Sequence, residues 1–171
     1  MSQTVWARRR PPDPDRGPFV VMDGSPRTLA DVTTLRRQLR AALAGAASGG
    51  AAEDAELLLL LAFEELTSNG LRHGRPPVRV VVTASARGWL LDVSDAAGDR
   101  PPAPAVGRDA ARGGLGLHLV ARLSRAHGWA VDGEGRKHVW ARIDYTQAEA
   151  PSEASPPLPR PRNGHPGPDR R

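Results

Sequence analysis

An apolar run of seven residues, Leu57 to Phe63, constrains the fold of this chain more than any other part of its sequence. It lies in a helical pattern that begins near Glu53, extends to about His73, and is ended by Gly74 and Pro76-Pro77. Because the middle of this helix is apolar on nearly all sides, it must be buried by other elements. A bilayer span needs about 20 apolar residues. The run therefore predicts a central core helix and no membrane anchor.

The prolines delimit the part of the chain that can build such a core. Of the 17 prolines, five fall in residues 1–26, seven in residues 147–171 and five between them. Both ends also carry few large apolar side chains, so they cannot bury enough surface to offset the entropy of ordering. We therefore predict a disordered tail over residues 1–18, one folded domain over residues 19–146, and a second disordered tail over residues 147–171.

The remaining patterns predict two more helices and several strands. Apolar residues recur every three or four positions from Leu29 to Leu43, which indicates an amphipathic helix. The predicted helices cover about residues 28–44, 53–73 and 115–127, and the predicted strands about 19–23, 78–85, 89–94, 129–132 and 138–144. Helix, helix, hairpin, long loop, helix and hairpin in this order predict an α+β fold. It is a two-layer sandwich with helices on one face of a mixed, largely antiparallel sheet.

Charge and cysteine content exclude several function classes. The net charge of +5 divides into +1 for residues 1–26, +3 for 27–146 and +1 for 147–171, so no segment is basic enough to favour nucleic-acid binding. The chain has no cysteine, which excludes disulfides and thiolate metal sites. Arg8 to Arg10 are followed by Pro11-Pro12-Asp13 rather than by an apolar export signal. We expect a soluble cytoplasmic protein.

Glu65 and Asn69 lie four residues apart on the second helix, so both project from one face. A carboxylate can orient or deprotonate a hydroxyl group, and an amide oxygen is a suitable ligand for Mg²⁺. Such pairs are common on solvent-exposed helix faces. The position of this pair, on a buried helix close to a glycine-rich end, favours a functional role.

Two further segments carry possible ligand contacts. Asp95 ends a strand and enters a polar loop, where its carboxylate can accept a hydrogen bond from an exocyclic amine and Gly98 lets the backbone approach a flat ligand. A glycine-rich segment then runs directly into the third helix, where backbone amides attract phosphate. The ordinary alternatives are an aspartate in a turn and a helix start without a phosphate. The glycine-rich residues are Gly113, Gly114, Leu115, Gly116 and Leu117.

In this order and spacing, the three features resemble the ATP-binding domain of the GHKL superfamily, and more narrowly the bacterial anti-sigma factor serine kinases. The resemblance covers about residues 25–145 and is most specific at Glu65, Asn69 and His73. It implies the Bergerat-type fold, with Glu65 as the catalytic residue, Asn69 as the Mg²⁺ ligand, and His73 among the nucleotide-binding residues. It also implies that Asp95 contacts adenine and that the segments at Gly98 and at residues 113–117 bind ATP.

The chain departs from the family pattern at the glycine boxes, with Ala97 and Asp99 in the first and Arg112 in the second. The resemblance implies a serine/threonine-protein kinase that phosphorylates an anti-sigma factor antagonist and sequesters a sigma factor, and it is compatible with a homodimer. The altered boxes favour the alternative, a non-catalytic nucleotide-binding module that sequesters a partner protein. Neither hypothesis involves nucleic acid or a membrane.

Overall fold

The computed structural model describes residues 6–13, 17–44, 50–102 and 115–145. Within these ranges the chain forms three helices and five strands, in an order that agrees with the sequence prediction. The helices are α1 (Leu29–Leu43), α2 (Gly50–His73) and α3 (Leu115–Leu123), and the strands are β1 (Phe19–Gly24), β2 (Arg79–Ala84), β3 (Gly88–Asp95), β4 (Ala126–Val131) and β5 (Lys137–Asp144).

The five strands form one sheet in the order β1-β2-β3-β5-β4, and every neighbouring pair is antiparallel. Alternate residues of β2, Val80, Val82 and Ala84, are buried, as expected for a sheet that is covered on one face. The helices supply that cover, and α2 contacts α1, α3, β3 and β5. The predicted α+β fold is confirmed. None of the described helices is long and apolar enough to cross a membrane.

Local sequence signals explain where α1 begins. The hydroxyl of Thr28 accepts a hydrogen bond from the Asp31 backbone N–H, and the Asp31 carboxylate accepts one from the Thr28 N–H at 2.9 Å. This reciprocal capping box satisfies backbone donors that the first turn of a helix leaves unpaired. Hydrogen bonds from the backbone N–H groups of Arg27 and Thr28 also lower the pKa of Asp31.

The apolar run of α2 forms the centre of the core. Leu59, Leu60 and Phe63 are buried, whereas Leu57, the first residue of the run, is 64% exposed. The helix ends at His73, and the Gly74 N–H donates to the Gly70 carbonyl at 2.9 Å. Gly74 does not have the positive φ of a typical glycine cap, since among the described glycines only Gly17 and Gly135 do. Pro76-Pro77, joined by a cis peptide bond, follow it.

The third helix is shorter than the predicted range of 115–127. It ends at Leu123, because the Arg125 N–H donates to the Arg142 carbonyl at 2.9 Å and draws the chain into the sheet. His127, predicted as helical, lies in β4, where its ring packs edge-on against Trp6 with the ring centroids 4.9 Å apart.

The N-terminal segment, residues 6–13, corrects the predicted tail of residues 1–18. Trp6 is fully buried in the core. The Arg9 N–H donates to the Trp129 carbonyl at 2.7 Å and the Trp129 N–H to the Ala7 carbonyl at 3.1 Å, so the segment runs parallel to β4. The indole N–H of Trp140 donates to the Arg9 carbonyl at 2.8 Å. Disorder is wrong for this segment because β4 satisfies its backbone and Trp6 anchors it. The second predicted tail, residues 147–171, lies outside the described residues.

Candidate functional site

The second half of α2 connects the residues that the sequence places in the site. Glu65 lies against α3, Asn69 follows one turn later, and the end of the helix at Gly74 lies directly over Asp95 of β3. A β-carbon at Gly70 would lie 3.3 Å from the Val93 side chain and 3.4 Å from the Val78 side chain, so this part of α2 packs closely against both valines. Because α2 is anchored by its buried apolar run, it holds these residues in fixed positions relative to α3 and the sheet.

The Glu65 carboxylate occupies the space beside Gly116, in the first turn of α3. A β-carbon at Gly116 would overlap the Glu65 carboxylate, so a larger residue there would require Glu65 to change its rotamer. Burial raises the pKa of Glu65, and the neighbouring Glu64 charge raises it further, while Arg72 acts in the opposite direction. A carboxylate with a raised pKa binds a proton more readily, which suits it to accept one from a hydroxyl group.

Asn69 is half-buried, and no hydrogen-bond partner for its side chain is found among the described residues. An amide oxygen of this kind can serve as a ligand of Mg²⁺. His73 lies in the last turn of α2 and is exposed. Across the described ranges, no group of three or more His, Cys, Asp or Glu side chains could hold a metal ion.

Asp95 is the last residue of β3 and is only 1% exposed. Its Oδ1 accepts a hydrogen bond from the Ala97 N–H at 2.7 Å, and its Oδ2 lies 3.2 Å from the Lys137 ammonium. Lys137 is directly opposite in the first position of β5 and is 3% exposed. No other charged residue in the described part of the chain is buried. The sequence analysis missed this partner, although Lys137 is the only lysine in the chain.

The loop after β3 uses its glycine for packing within the chain. A β-carbon at Gly98 would lie 2.2 Å from the Gly135 carbonyl oxygen, so Gly98 lets this loop approach the turn between β4 and β5. Ala97 is fully buried, and Asp99 is exposed and pairs with Arg75 at 2.9 Å. Gly135 thus packs on the side of Gly98 where a side chain would lie. A contact between Gly98 and nucleotide stays a prediction.

The structure describes only part of the predicted phosphate-binding segment. Leu115 begins α3, and Gly116 is the close-contact position beside Glu65. Leu117 is buried in the core, so its side chain packs inward. Gly113 and Gly114 lie outside the described residues.

Residues 25–143, more than half of the chain, match the sequence model of the histidine kinase-like ATPase domain. The chain belongs to this family. It is an ATP-binding, histidine kinase-like ATPase domain, and its three helices and antiparallel sheet are consistent with the Bergerat fold of the GHKL superfamily. No curated protein matches the chain.

The donor set of this histidine kinase-like ATPase domain fits ATP with Mg²⁺. The side-chain oxygens of Glu65 and Asn69 are ligands that Mg²⁺ prefers, and Mg²⁺ commonly takes few protein ligands together with phosphate oxygens and water. Asn69 is the residue that would hold the ion. At Asp95, the residue predicted to contact adenine, both oxygens already have partners within the chain.

Proposed function

We propose that this ATPase domain is a regulatory serine/threonine-protein kinase of the anti-sigma factor type that acts in the cytoplasm. Its substrate would be a serine of an anti-sigma factor antagonist, and its second partner a sigma factor that it sequesters. The observation that carries this proposal is the half-buried Glu65 carboxylate with a raised pKa, placed at the start of α3 and one turn from Asn69.

Each residue has a distinct role in the proposed reaction. Glu65 orients the serine hydroxyl and accepts its proton, and Asn69 holds Mg²⁺ through its amide oxygen. Asp95 accepts a hydrogen bond from the exocyclic amine of adenine, and the backbone at the start of α3 binds phosphate. Bound ATP supplies the phosphoryl group. Positioning and charge neutralisation provide most of the rate enhancement in such transfers.

A second candidate function is a non-catalytic nucleotide-binding module that sequesters a partner protein. Two observations favour it. The carboxylate that would read adenine is paired with Lys137, and Ala97, Asp99 and Arg112 replace glycines of the family pattern.

Substitution of Glu65 distinguishes the two functions. If the domain is a kinase, Glu65→Gln lowers phosphoryl transfer to the antagonist by about 10²–10⁴-fold while Mg-ATP affinity is retained, because the carboxylate acts on the attacking hydroxyl. Transfer is measured with radiolabelled ATP and affinity by calorimetry. Glu53→Gln is the matched control, since Glu53 is an exposed carboxylate in the first turn of the same helix.

Asn69→Ala tests the metal site separately. We expect Mg²⁺-dependent ATP binding to be lost while the melting temperature changes little. If the wild-type domain binds Mg-ATP but labels no serine of an antagonist, and Glu65→Gln still regulates the partner, the kinase proposal fails and the binding module stands. If Asn69→Ala binds Mg-ATP as the wild type does, the metal site is misplaced.

A further inference from the structure

The ion pair between Asp95 and Lys137 is the most deeply buried polar contact at the proposed nucleotide site. The two residues face each other across β3 and β5, on the side of the sheet that α2 covers. Their charged atoms are 3.2 Å apart, and their side chains are 1% and 4% exposed. An ion pair with so little solvent contact is held in place, because separating it leaves a buried charge without a partner.

The Asp95 carboxylate has little room for another ligand. The Ala97 N–H holds one oxygen and the Lys137 ammonium the other. Gly74 lies beside the Asp95 Oδ2, and Asp95 is only 1% exposed, so no face of the carboxylate is open to solvent. An incoming amine can therefore reach the carboxylate only if a group packed against it moves aside. The Ala97 N–H belongs to the backbone of a tight turn, whereas Lys137 has a flexible side chain.

We propose that Lys137 competes with the nucleobase for Asp95. A purine with an exocyclic amine reaches the Asp95 Oδ2 when the Lys137 ammonium withdraws from it, because this side of the carboxylate is buried and has no open space for both donors. The proposal rests on the proposed function, which takes Asp95 as the group that reads the base. Lys137 thereby lowers the apparent affinity for nucleotide, which is proportional to the fraction of molecules in which Asp95 is not paired with Lys137.

The type of residue at this position supports the proposal. Lys137 is the only lysine among 24 basic residues. Its ammonium is a compact charge on a flexible four-carbon chain and can withdraw as a unit, whereas the broad guanidinium of arginine forms a rigid fork. The basic residue beside Asp95 is thus the only lysine of the chain, and its compact, flexible side chain can occupy a buried site and also withdraw from it.

Because the chain has a single lysine, this competition can be observed directly in the wild-type protein. Labelling with ¹⁵N at the lysine Nζ gives one side-chain ammonium resonance, and an amine-reactive reagent modifies only Lys137 and the terminal amine. We expect Lys137 to be protected without nucleotide. Saturating Mg-ADP, with binding verified by calorimetry, should move the resonance and raise the modification rate of Lys137 at least tenfold. The terminal amine is the internal control. If ADP binds and Lys137 is unchanged, the competition is excluded while the proposed function stands.

Lys137→Thr tests the same competition by removing the lysine. We expect Mg-ADP to bind at least tenfold more tightly, because the base then has no ammonium to displace from the Asp95 Oδ2. His138→Gln is the control, since it removes the adjacent positive charge from the other face of β5 and should leave the affinity unchanged.

The outcomes separate this proposal from the proposed function. If Lys137→Thr binds ADP and the wild type does not, the competition is supported. If Lys137→Thr binds ADP more weakly than the wild type, the competition is overturned. If neither the folded wild type nor the folded variant binds ADP or ATP, the proposed function fails and the competition with it. Where Lys137→Thr does not fold, the labelling experiment on the wild-type protein decides.

Discussion

The buried pair of Asp95 and Lys137 has a consequence for stability as well as for ligand binding. Asp95→Asn and Lys137→Met should each lower the free energy of unfolding by about 3–5 kcal/mol, because each leaves the opposite charge buried and unpaired. The double variant Asp95→Asn/Lys137→Met should recover most of this loss. Urea unfolding of the four proteins measures the coupling. Losses that simply add in the double variant would show that the two charges do not stabilise each other.

His138 provides a pH-dependent contribution to stability. Its Nδ1 lies 2.8 Å from Asp92 and its Nε2 3.2 Å from Asp132. The hydrogen bond with Asp92, with smaller contributions from the charges of both aspartates, raises the pKa of His138 from 6.5 to about 9. Because the folded state binds the proton more tightly than the unfolded state, this stabilisation is fully present below pH 6.5. It is lost as the pH rises through about 9.

The expected result is a difference in slope between two proteins. From pH 6.5 to 9.5, the free energy of unfolding of the wild type should fall by about 1–2 kcal/mol more than that of His138→Gln, a value below the full linkage energy because the ring is partly exposed to solvent. Equilibrium unfolding at several pH values measures both slopes. Parallel curves would mean that the two aspartates do not hold the proton on His138.

At the level of single residues, the sequence predicted which residues share one element, but not which residues pair across two elements. The spacing of Glu65 and Asn69 was sufficient to place both on one side of α2, because a helix has a fixed period. The Lys137 partner of Asp95 could not be predicted, because it depends on the register of β3 against β5, two strands that α3 and β4 separate along the chain. The only signal in the sequence was that Lys137 is the single lysine among 24 basic residues.

Gly116 leaves room for the Glu65 carboxylate where α3 meets α2. Gly116→Ala should lower phosphoryl transfer, because its β-carbon would overlap the Glu65 carboxylate and displace it. The melting temperature should change little, since the flexible Glu65 side chain can rotate to another rotamer. Gly133→Ala is the control, since no atom lies within 4 Å of its β-carbon position. Thermal unfolding and the transfer assay measure both effects. Equal phosphoryl transfer by the two variants would contradict the close contact.

Elements defined by local signals were predicted to within a few residues, and elements ended by distant contacts were not. The apolar recurrence in α1 and the alternation in β2 are properties of residues close together in the sequence, so both elements were predicted at nearly their observed bounds. The end of α3 depends instead on a hydrogen bond from Arg125 to Arg142, which no local pattern contains. In the same way, residues 6–13 look unstructured until β4 is present to pair with them.

The two ends of the molecule should differ in their effect on stability. Deleting residues 1–13 should lower the free energy of unfolding by about 3–5 kcal/mol, because it removes the buried Trp6 and uncovers the edge of β4. Truncation after Tyr145 should change it little, because residues 147–171 have no apolar periodicity. Trp6→Ala separates the effect of the side chain from that of the backbone. Calorimetric melting of the three proteins tests this, and a larger loss from the C-terminal truncation would contradict it.

The pairing of residues 6–13 with β4 also has a consequence for biosynthesis. Arg8 bridges to Trp129, which the ribosome adds 121 residues later, a separation given by 129 − 8. The segment of residues 6–13 therefore waits for β4, the fourth of the five strands, before it can dock. During that interval its indole ring and its unpaired amides can engage the open edge of another chain. Slow translation or crowding of nascent chains should thus favour exchange of N-terminal segments between molecules over closure within one.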